Sequence, residues 1–487
     1  MAEFIVAIEL GSSKMTGIAG KKNLDGSISV LAVVKEDSTA CISKGVVYNV
    51  DKTVQALTNI VKKLETNLKS KIVQVYVGVG GKSIKSIKNI NIKELSEDGI
   101  VSQDMINELM DANRSMQYPE QEILDAITQE YKVDNQYELD PVGIQCRRLE
   151  GNFLNILWKK NFYRNINKCF NNAGIAIAEM YLSPLALADS VITDAERRSG
   201  CLLVDLGAET TTVCVYYKNI LRHLVVIPLG SNNITKDIAS LQIDEQEAED
   251  MKLKFASAYT HVDDIEKEET LSINDGRTVE KSKFVNIVEA RVQEIIENTW
   301  CQVPSEYTDK LLGGIILTGG GANLNNIETA FRNHTHIDKI RIAKTTSQTI
   351  NSNNSTINAK DGTMCTVLGL LAKGDMNCAG DQITGNLFES NEEKKATLST
   401  ADLHKEPRPI TETTGRGIVQ TEAEKQAEKQ AEEEARRRKQ QEEEERLRAE
   451  EEELEREREE KRKNSWLHKT LSSLKNFGKK MVAEDEE

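Results

Sequence analysis

Two stretches of this chain share one layout. FIVAIELGSSKMTGIAG (4–20) and CLLVDLGAETTTVCVYY (201–217) each run from an apolar segment to an acid, then Leu-Gly, then small hydroxyl residues, then a second β-rich run. Both lead into a third apolar run, ISVLAVV (28–34) and LRHLVVIPLG (221–230). An apolar strand, a glycine turn and a returning strand make a β-hairpin whose turn is rich in backbone N–H groups. A chain that carries the unit twice, with helical patterns between, is constrained to a duplicated α/β fold.

The segments between the repeats fill in the expected domains. VDKTVQALTNIVKKLETNLKS (50–70) spaces Val54, Leu57, Val61, Leu64 and Leu68 as one helix face, and IVQVYVGVGG (72–81) reads as a buried strand. Residues 85–162 change character: SIKSIKNINIKEL and AITQEYKV read as half-exposed strands and DMINELMDANRSM as a helix, so this is an inserted α+β unit. The first domain then spans 1–84 and 163–198 around the insert. The second spans 199–230 and 312–376, with 231–311 a helical subdomain inside it. In that subdomain NNITKDIASL (232–241), EQEAEDMKLKFA (245–256) and KFVNIVEARVQEIIENTW (283–300) read as helices. GGIILTGGGANLNNIETAF (313–331) reads as strand, Gly-rich turn and helix, IRIAKTT (340–346) as a strand, and TMCTVLGLLAKG (363–374) as an apolar helix closing the globular part near 376. Residues 377–419 read as a polar linker, 420–463 as a charged spacer and 464–482 as an amphipathic helix.

The charge balance, −15 overall, argues against general nucleic-acid binding. Eight cysteines without a CxxC pair read as reduced thiols rather than a disulfide framework or zinc site. The apolar N-terminus is short, lacks a basic flank and holds Glu3 and Glu9, so it reads as a strand, not a signal peptide. No run approaches the ~18 apolar residues of a spanning helix, so any membrane contact is expected to be peripheral.

Three Gly-rich turns follow three apolar strands: Gly11-Ser12-Ser13-Lys14, Gly207-Ala208-Glu209-Thr210-Thr211 and Gly319-Gly320-Gly321-Ala322. Glycine lets a backbone approach an anion, and consecutive N–H groups form a concave donor set. Hydroxyls at Ser12, Ser13, Thr210 and Thr211 add hydrogen bonds, and Lys14 adds a point charge. A helix starting after Ala322 would aim its N-terminus at the same place. Glu9 and Asp205 end their strands at matching positions, where paired acids could hold Mg²⁺ through water. Each acid read alone is equally a turn-stabilising carboxylate, and each turn read alone is more often structural.

Together these turns resemble the two phosphate loops and the adenosine loop of the actin-like ATPase superfamily, whose duplicated fold is ribonuclease H-like. Glu249 and Lys252 match that superfamily's Glu-x-x-Lys element, which reaches the ribose and adenine. Within the superfamily the chain is most similar to the FtsA family of bacterial cell-division proteins. The insert at 85–162, KGVVYNVDKTVQAL (44–57), Asp140-Pro141-Val142-Gly143 and LTGGGANL (317–324) carry that resemblance over roughly residues 3–376. It implies ATP and Mg²⁺ as ligands and self-association into actin-like filaments. It also implies docking of the C-terminal peptide of the tubulin-like protein FtsZ on 231–311, near Arg291, and contacts with other division proteins. Arg291 equally suits a structural salt bridge. Three departures matter: Ala208 and Glu209 stand where glycines are usual, Thr212 where Asp is common, and Glu9 where Asp is usual. Leu182–Ala186 offers no Gln or Glu to position an attacking water, so nucleotide binding with slow or negligible hydrolysis is expected.

The tail fits this picture. The spacer's only large apolar residues are Leu447 and Leu454, too few for a coiled coil. Fully helical, its roughly 44 residues would reach on the order of 65 Å. At helical spacing Trp466, Leu467, Leu471, Leu474 and Phe477 share one face, and Lys469, Lys475, Lys479 and Lys480 the other. Such a helix suits an anionic membrane surface. A partner's groove or the chain's own core are the other places it could dock. The expected location is the cytoplasmic face of the bacterial inner membrane at the division site, as a peripheral protein that anchors FtsZ filaments and helps assemble the septum. A pilus-assembly adaptor of the PilM type and a sugar kinase of the same fold are the alternatives.

Overall fold

The computed structural model describes residues 3–96, 99–261, 270–273 and 276–382. Its first sheet is built on the hairpin set β1 (Ile5–Leu10), β2 (Lys14–Lys22) and β3 (Ile28–Asp37), all antiparallel. The helix α1 (Val50–Leu68) lays Ala56, Leu57, Ile60 and Leu64 on this sheet. Asn49 caps its N-terminus by accepting from the Lys52 N–H. The chain then adds β4 (Gln74–Val79) parallel to β1.

The insert follows. It consists of β5 (Lys85–Glu94), α2 (Gln103–Arg114), β6 (Gln121–Val133) and β7 (Arg148–Lys159). The last of these was not anticipated; it is the central strand of the insert and pairs with both β5 and β6. The helix α3 (Lys160–Ala173) returns the chain to the first sheet, where β8 (Ala176–Leu182) joins β4 in parallel and leads into α4 (Ser183–Val191).

The second half repeats the plan. β9 (Cys201–Leu206), β10 (Thr211–Tyr217) and β11 (Ile220–Ile227) form an antiparallel set. The helices α5 (Ser231–Ala239), α6 (Glu245–Phe255) and α7 (Lys281–Cys301) come next. Then β12 (Gly314–Thr318) lies parallel to β9, α8 (Ile327–Thr335) follows, and β13 (Ile340–Ile342) lies parallel to β12. The orders β8-β4-β1-β2-β3 and β13-β12-β9-β10-β11 are therefore one topology used twice. A last helix, α9, spans Cys365–Lys373.

Strand alternation explains how the second sheet buries both faces. Leu202, Val204, Val213 and Val215 pack with the helices of their own half, around Phe284, Val288, Ile296 and Phe331. Cys201, Leu203, Cys214 and Leu224 alternate with them and merge into the core that also holds β1, β4 and α1.

Three details differ from the sequence reading. The helix α9 was assigned to the second half, but Cys365, Val367, Leu368, Leu370 and Leu371 lie in the first half's core. A helix apolar on all sides carries no face from which to read its neighbours. The globular part also runs past 376: Cys378 is buried, its N–H donates to the Phe4 carbonyl, and Ala379–Gln382 pairs with Ser70–Ile72. The insert is bound to the second half as well as the first. Val225 of β11 pairs with Lys85 of β5, making one nine-stranded sheet among the described residues. Arg222 reaches Glu130 at 2.8 Å, Gln129 donates to the Leu221 carbonyl at 2.9 Å, and the Leu224 N–H donates to Ser86 Oγ at 2.8 Å. All eight cysteines are unpaired, and all but Cys301 are buried.

Candidate nucleotide site

The two hairpin turns meet at the ends of β1 and β9. Glu9 and Asp205, half-buried, close those strands. Burial, and after it the charge of Asp205, raises the Glu9 carboxyl to about 8. Burial raises Asp205 to about 6. Two carboxyls whose charged forms are disfavoured by burial are groups that a nearby cation would relieve. Among the described residues no group of three or more His, Cys, Asp or Glu could hold a metal. Mg²⁺, where bound, usually keeps much of its hydration shell and takes few protein ligands.

Lys35, which the sequence reading passed over, belongs to this cluster. In the first sheet Glu9 is in register with Thr16, and Thr16 with Lys35. Burial and then Lys14 lower the Lys35 amine, while Asp361 and Glu9 raise it. Its signal in the sequence is a lone lysine at the far end of the third apolar run, opposite an acid two strands away.

The first turn is held by its neighbours. Ser38 Oγ donates to the Gly11 carbonyl at 2.7 Å and the Ser38 N–H to the Ser13 carbonyl at 3.2 Å. Ser12 is buried and its Oγ accepts from the Gly45 N–H at 2.8 Å. Lys14 is exposed at the start of β2.

The second turn is closed by Gly207 N–H donating to the Thr210 carbonyl at 2.9 Å. Thr211 is buried and donates to the Leu229 carbonyl, so its hydroxyl serves the hairpin. The first N–H groups of α5 reach this turn: Ser231 donates to the Gly207 carbonyl and Asn232 to the Ala208 carbonyl at 2.7 Å. Glu209 turns across to the first half, where its Oε2 accepts from the Lys44 N–H at 2.6 Å.

The third turn lies against the second strand's acid. A Cβ at Gly319 would run into Asp205 Oδ1, and Gly319 has φ +84°. Beyond it the helix does not start after Ala322 as expected. Gly320–Asn323 form a 3₁₀ turn, Ala322 is buried, and α8 begins at Ile327 after Asn326 at φ +57°. Asn326 Nδ2 donates to Ser257 Oγ and the Tyr259 carbonyl, which turns that helix end toward the 257–259 loop. The helix end beside the second turn is that of α5.

Glu249 and Lys252 come together in an ion pair. Lys252 is buried, and its Nζ lies 2.7 Å from Glu249 Oε2, 2.9 Å from Thr235 Oγ1 and 3.3 Å from the Ser231 carbonyl. Thr235 also donates to Glu249 at 2.6 Å. This network stands at the start of α5, and a Cβ at Gly321 would lie 3.5 Å from Ser231 Cβ. Arg291 is engaged elsewhere: it grips Asp237 at 2.5 and 3.0 Å and pairs with Glu294. A cavity of about 220 Å³, lined by Lys344, Thr345, Thr356, Asp361 and Leu368, borders the third turn, where Asn323 Nδ2 donates to the Asp361 carbonyl at 2.8 Å.

Comparison with known proteins decides the family. Residues 202–369 match "Cell division protein FtsA" and residues 81–157 match "SHS2 domain inserted in FTSA". The FtsA of Porphyromonas gingivalis is 30% identical over 424 residues, covering 84% of this chain and 87% of that one. The chain belongs to the FtsA family. The FtsA of Bacillus subtilis is 31% identical over 333 residues, covering 67% and 75% of the two chains. That of Pseudomonas aeruginosa is 29% identical, covering 66% and 78%. Among solved structures, a chain of the PilM-PilN type IV pilus biogenesis complex is similar with TM-score 0.52 and 13% identity, covering 75% of this chain and 97% of that one. At that identity the likeness is one of fold, the actin-like ATPase fold. The match over 81–157 falls on the insert. Among the described residues no helix is long and apolar enough to cross a membrane. The residues assigned to membrane binding, Trp466 to Lys480, lie outside the described residues, as do the spacer and most of the linker.

Proposed function

We propose that this FtsA-family chain binds ATP with Mg²⁺ in the cleft between its halves and anchors FtsZ filaments to the cytoplasmic membrane at the division site. The observation that carries the nucleotide reading is the meeting of two matched Gly turns above the Glu9–Asp205 pair, with Lys14 and Lys35 beside it. Glu9 and Asp205 would hold Mg²⁺ through water, and the ion would neutralise phosphate charge. Ser12, Ser13 and Thr210 would add hydrogen bonds to phosphate, and Glu249, Lys252 and Gly319–Ala322 would line the adenosine. Hydrolysis would be slow, because Ser183-Pro184 follows β8 where a water-orienting Gln or Glu would be needed.

Self-association, contact with the FtsZ C-terminal peptide on 231–311 and docking of 464–482 on anionic lipid complete the reading. Arg291's pairing with Asp237 supports its structural alternative, so the peptide site rests on the helical subdomain as a whole. The pilus-assembly and sugar-kinase alternatives have the fold in their favour and nothing more. Co-sedimentation of the full chain with anionic vesicles tests the reading. The chain should pellet, bring an FtsZ peptide with it, and stay in solution once 464–487 are removed. A chain that ignores vesicles and peptide alike would refute the anchoring role.

A further inference from the structure

The Lys44–Gly45 turn joins the two phosphate turns. Lys44 has φ +52° and Gly45 φ +72°, so two successive residues are left-handed. Gly45 crosses Gly81 so closely that a Cβ on it would strike Gly81 Cα, and the Lys82 N–H donates to the Lys44 carbonyl at 2.8 Å. The turn is thus fixed in the first half by the backbone crossing at Gly81 and the Lys82 hydrogen bond. Its two N–H groups are then shared out: Gly45's goes to Ser12 of the first phosphate turn and Lys44's to Glu209 of the second. The second contact spans 165 residues of sequence and crosses the cleft.

A carboxylate among phosphate turns repels the ligand such turns attract. Held on a backbone N–H it makes a charge-assisted hydrogen bond, stronger than a neutral one. Each state of the cleft thus disfavours the other: Glu209 seated on Lys44 draws the halves together, and a polyphosphate between the turns pushes that carboxylate away.

We propose that Glu209 is a positioning residue, a latch across the cleft that a nucleotide triphosphate must displace. The proposal rests on the nucleotide reading above, and its test separates the two. The first arm uses no nucleotide. Hydrogen exchange of the full chain should show the peptide containing Lys44 exchanging at least about tenfold faster in Glu209→Ala than in the wild type. Glu209→Gln, which keeps an acceptor oxygen, should fall between. Equal rates in all three would overturn the latch. The second arm follows a fluorescent ATP analogue with Mg²⁺. Glu209→Ala should speed entry at least about fivefold, and both Glu209→Ala and Glu209→Gln should bind more tightly through loss of the repelling charge. A residue that only stabilises the fold would leave those rates alone, so unchanged entry and release in both variants would overturn the proposal. Glu209-dependent protection of Lys44 in a wild-type chain that binds no analogue would overturn the nucleotide reading and the displacement step, leaving only the tether.

Discussion

The two matched hairpin turns share one pattern in the sequence but are held by opposite kinds of contact. The first, Gly11 to Lys14, offers hydroxyls and a cation, and its side chain Ser12 accepts a hydrogen bond from its own half. The second, Gly207 to Thr211, carries a carboxylate where the resemblance puts a glycine, and that carboxylate bonds to the other half. The repeated layout gives two similar strand ends, and their turns bond differently: Ser12 within its own half, Glu209 across to the other. The acids beneath them diverged less, since both are pushed upward by burial.

The comparison can be broken at several points. The largest effect is expected at Gly319. Its φ of +84° and the Asp205 oxygen beside it leave no room for a side chain. Gly319→Val should lower stability by about 3 kcal/mol, seen as a fall in the thermal unfolding midpoint. Next is Lys252→Met, which leaves Glu249 and Thr235 without their buried cation. It should cost about 2 kcal/mol in denaturant unfolding. An equal cost in the absence and presence of ATP would make this network purely structural.

The acid pair gives a pH signature. Glu9 goes from an ordinary 4.5 to about 8 and Asp205 from 3.8 to about 6. The folded chain therefore holds more protons than the unfolded chain between those values, and folding stability falls as pH rises through the window. Without Mg²⁺ or nucleotide, the unfolding midpoint should climb as pH drops from about 8.5 to about 6, and Glu9→Gln should flatten most of that slope. A slope unchanged by Glu9→Gln would place the titration elsewhere. The smallest effect belongs to the insert's exposed contact, Lys88 with Glu306. Lys88→Ala should cost less than about 1 kcal/mol by chemical unfolding.

The hairpins, their turns and the acids at their ends were legible because they are local: alternation, glycine and a terminal carboxylate all fall within a few residues. The insert's strand β5 and helix α2 were legible for the same reason. Its attachment to the second half was not, because it is made by residues far apart in sequence: Val225 with Lys85, Arg222 with Glu130, Gln129 with Leu221, Ser86 with Leu224 and Lys88 with Glu306. Glu209 shows the limit most sharply. Read beside its neighbours it is a misplaced charge; its partner stands 165 residues away. The late start of α8 escaped notice because Asn326 takes a left-handed backbone inside a stretch whose apolar spacing already looks helical.

On the proposed reading, the two turns build one nucleotide site. Calorimetric titration of the full chain with Mg²⁺ and ATP tests it directly. One ATP should bind per chain, and Lys14→Ala in the first turn or Thr210→Ala in the second should each weaken binding by about tenfold, equivalent to about 1.4 kcal/mol. Binding that ignores both substitutions, or no binding at all, would contradict it.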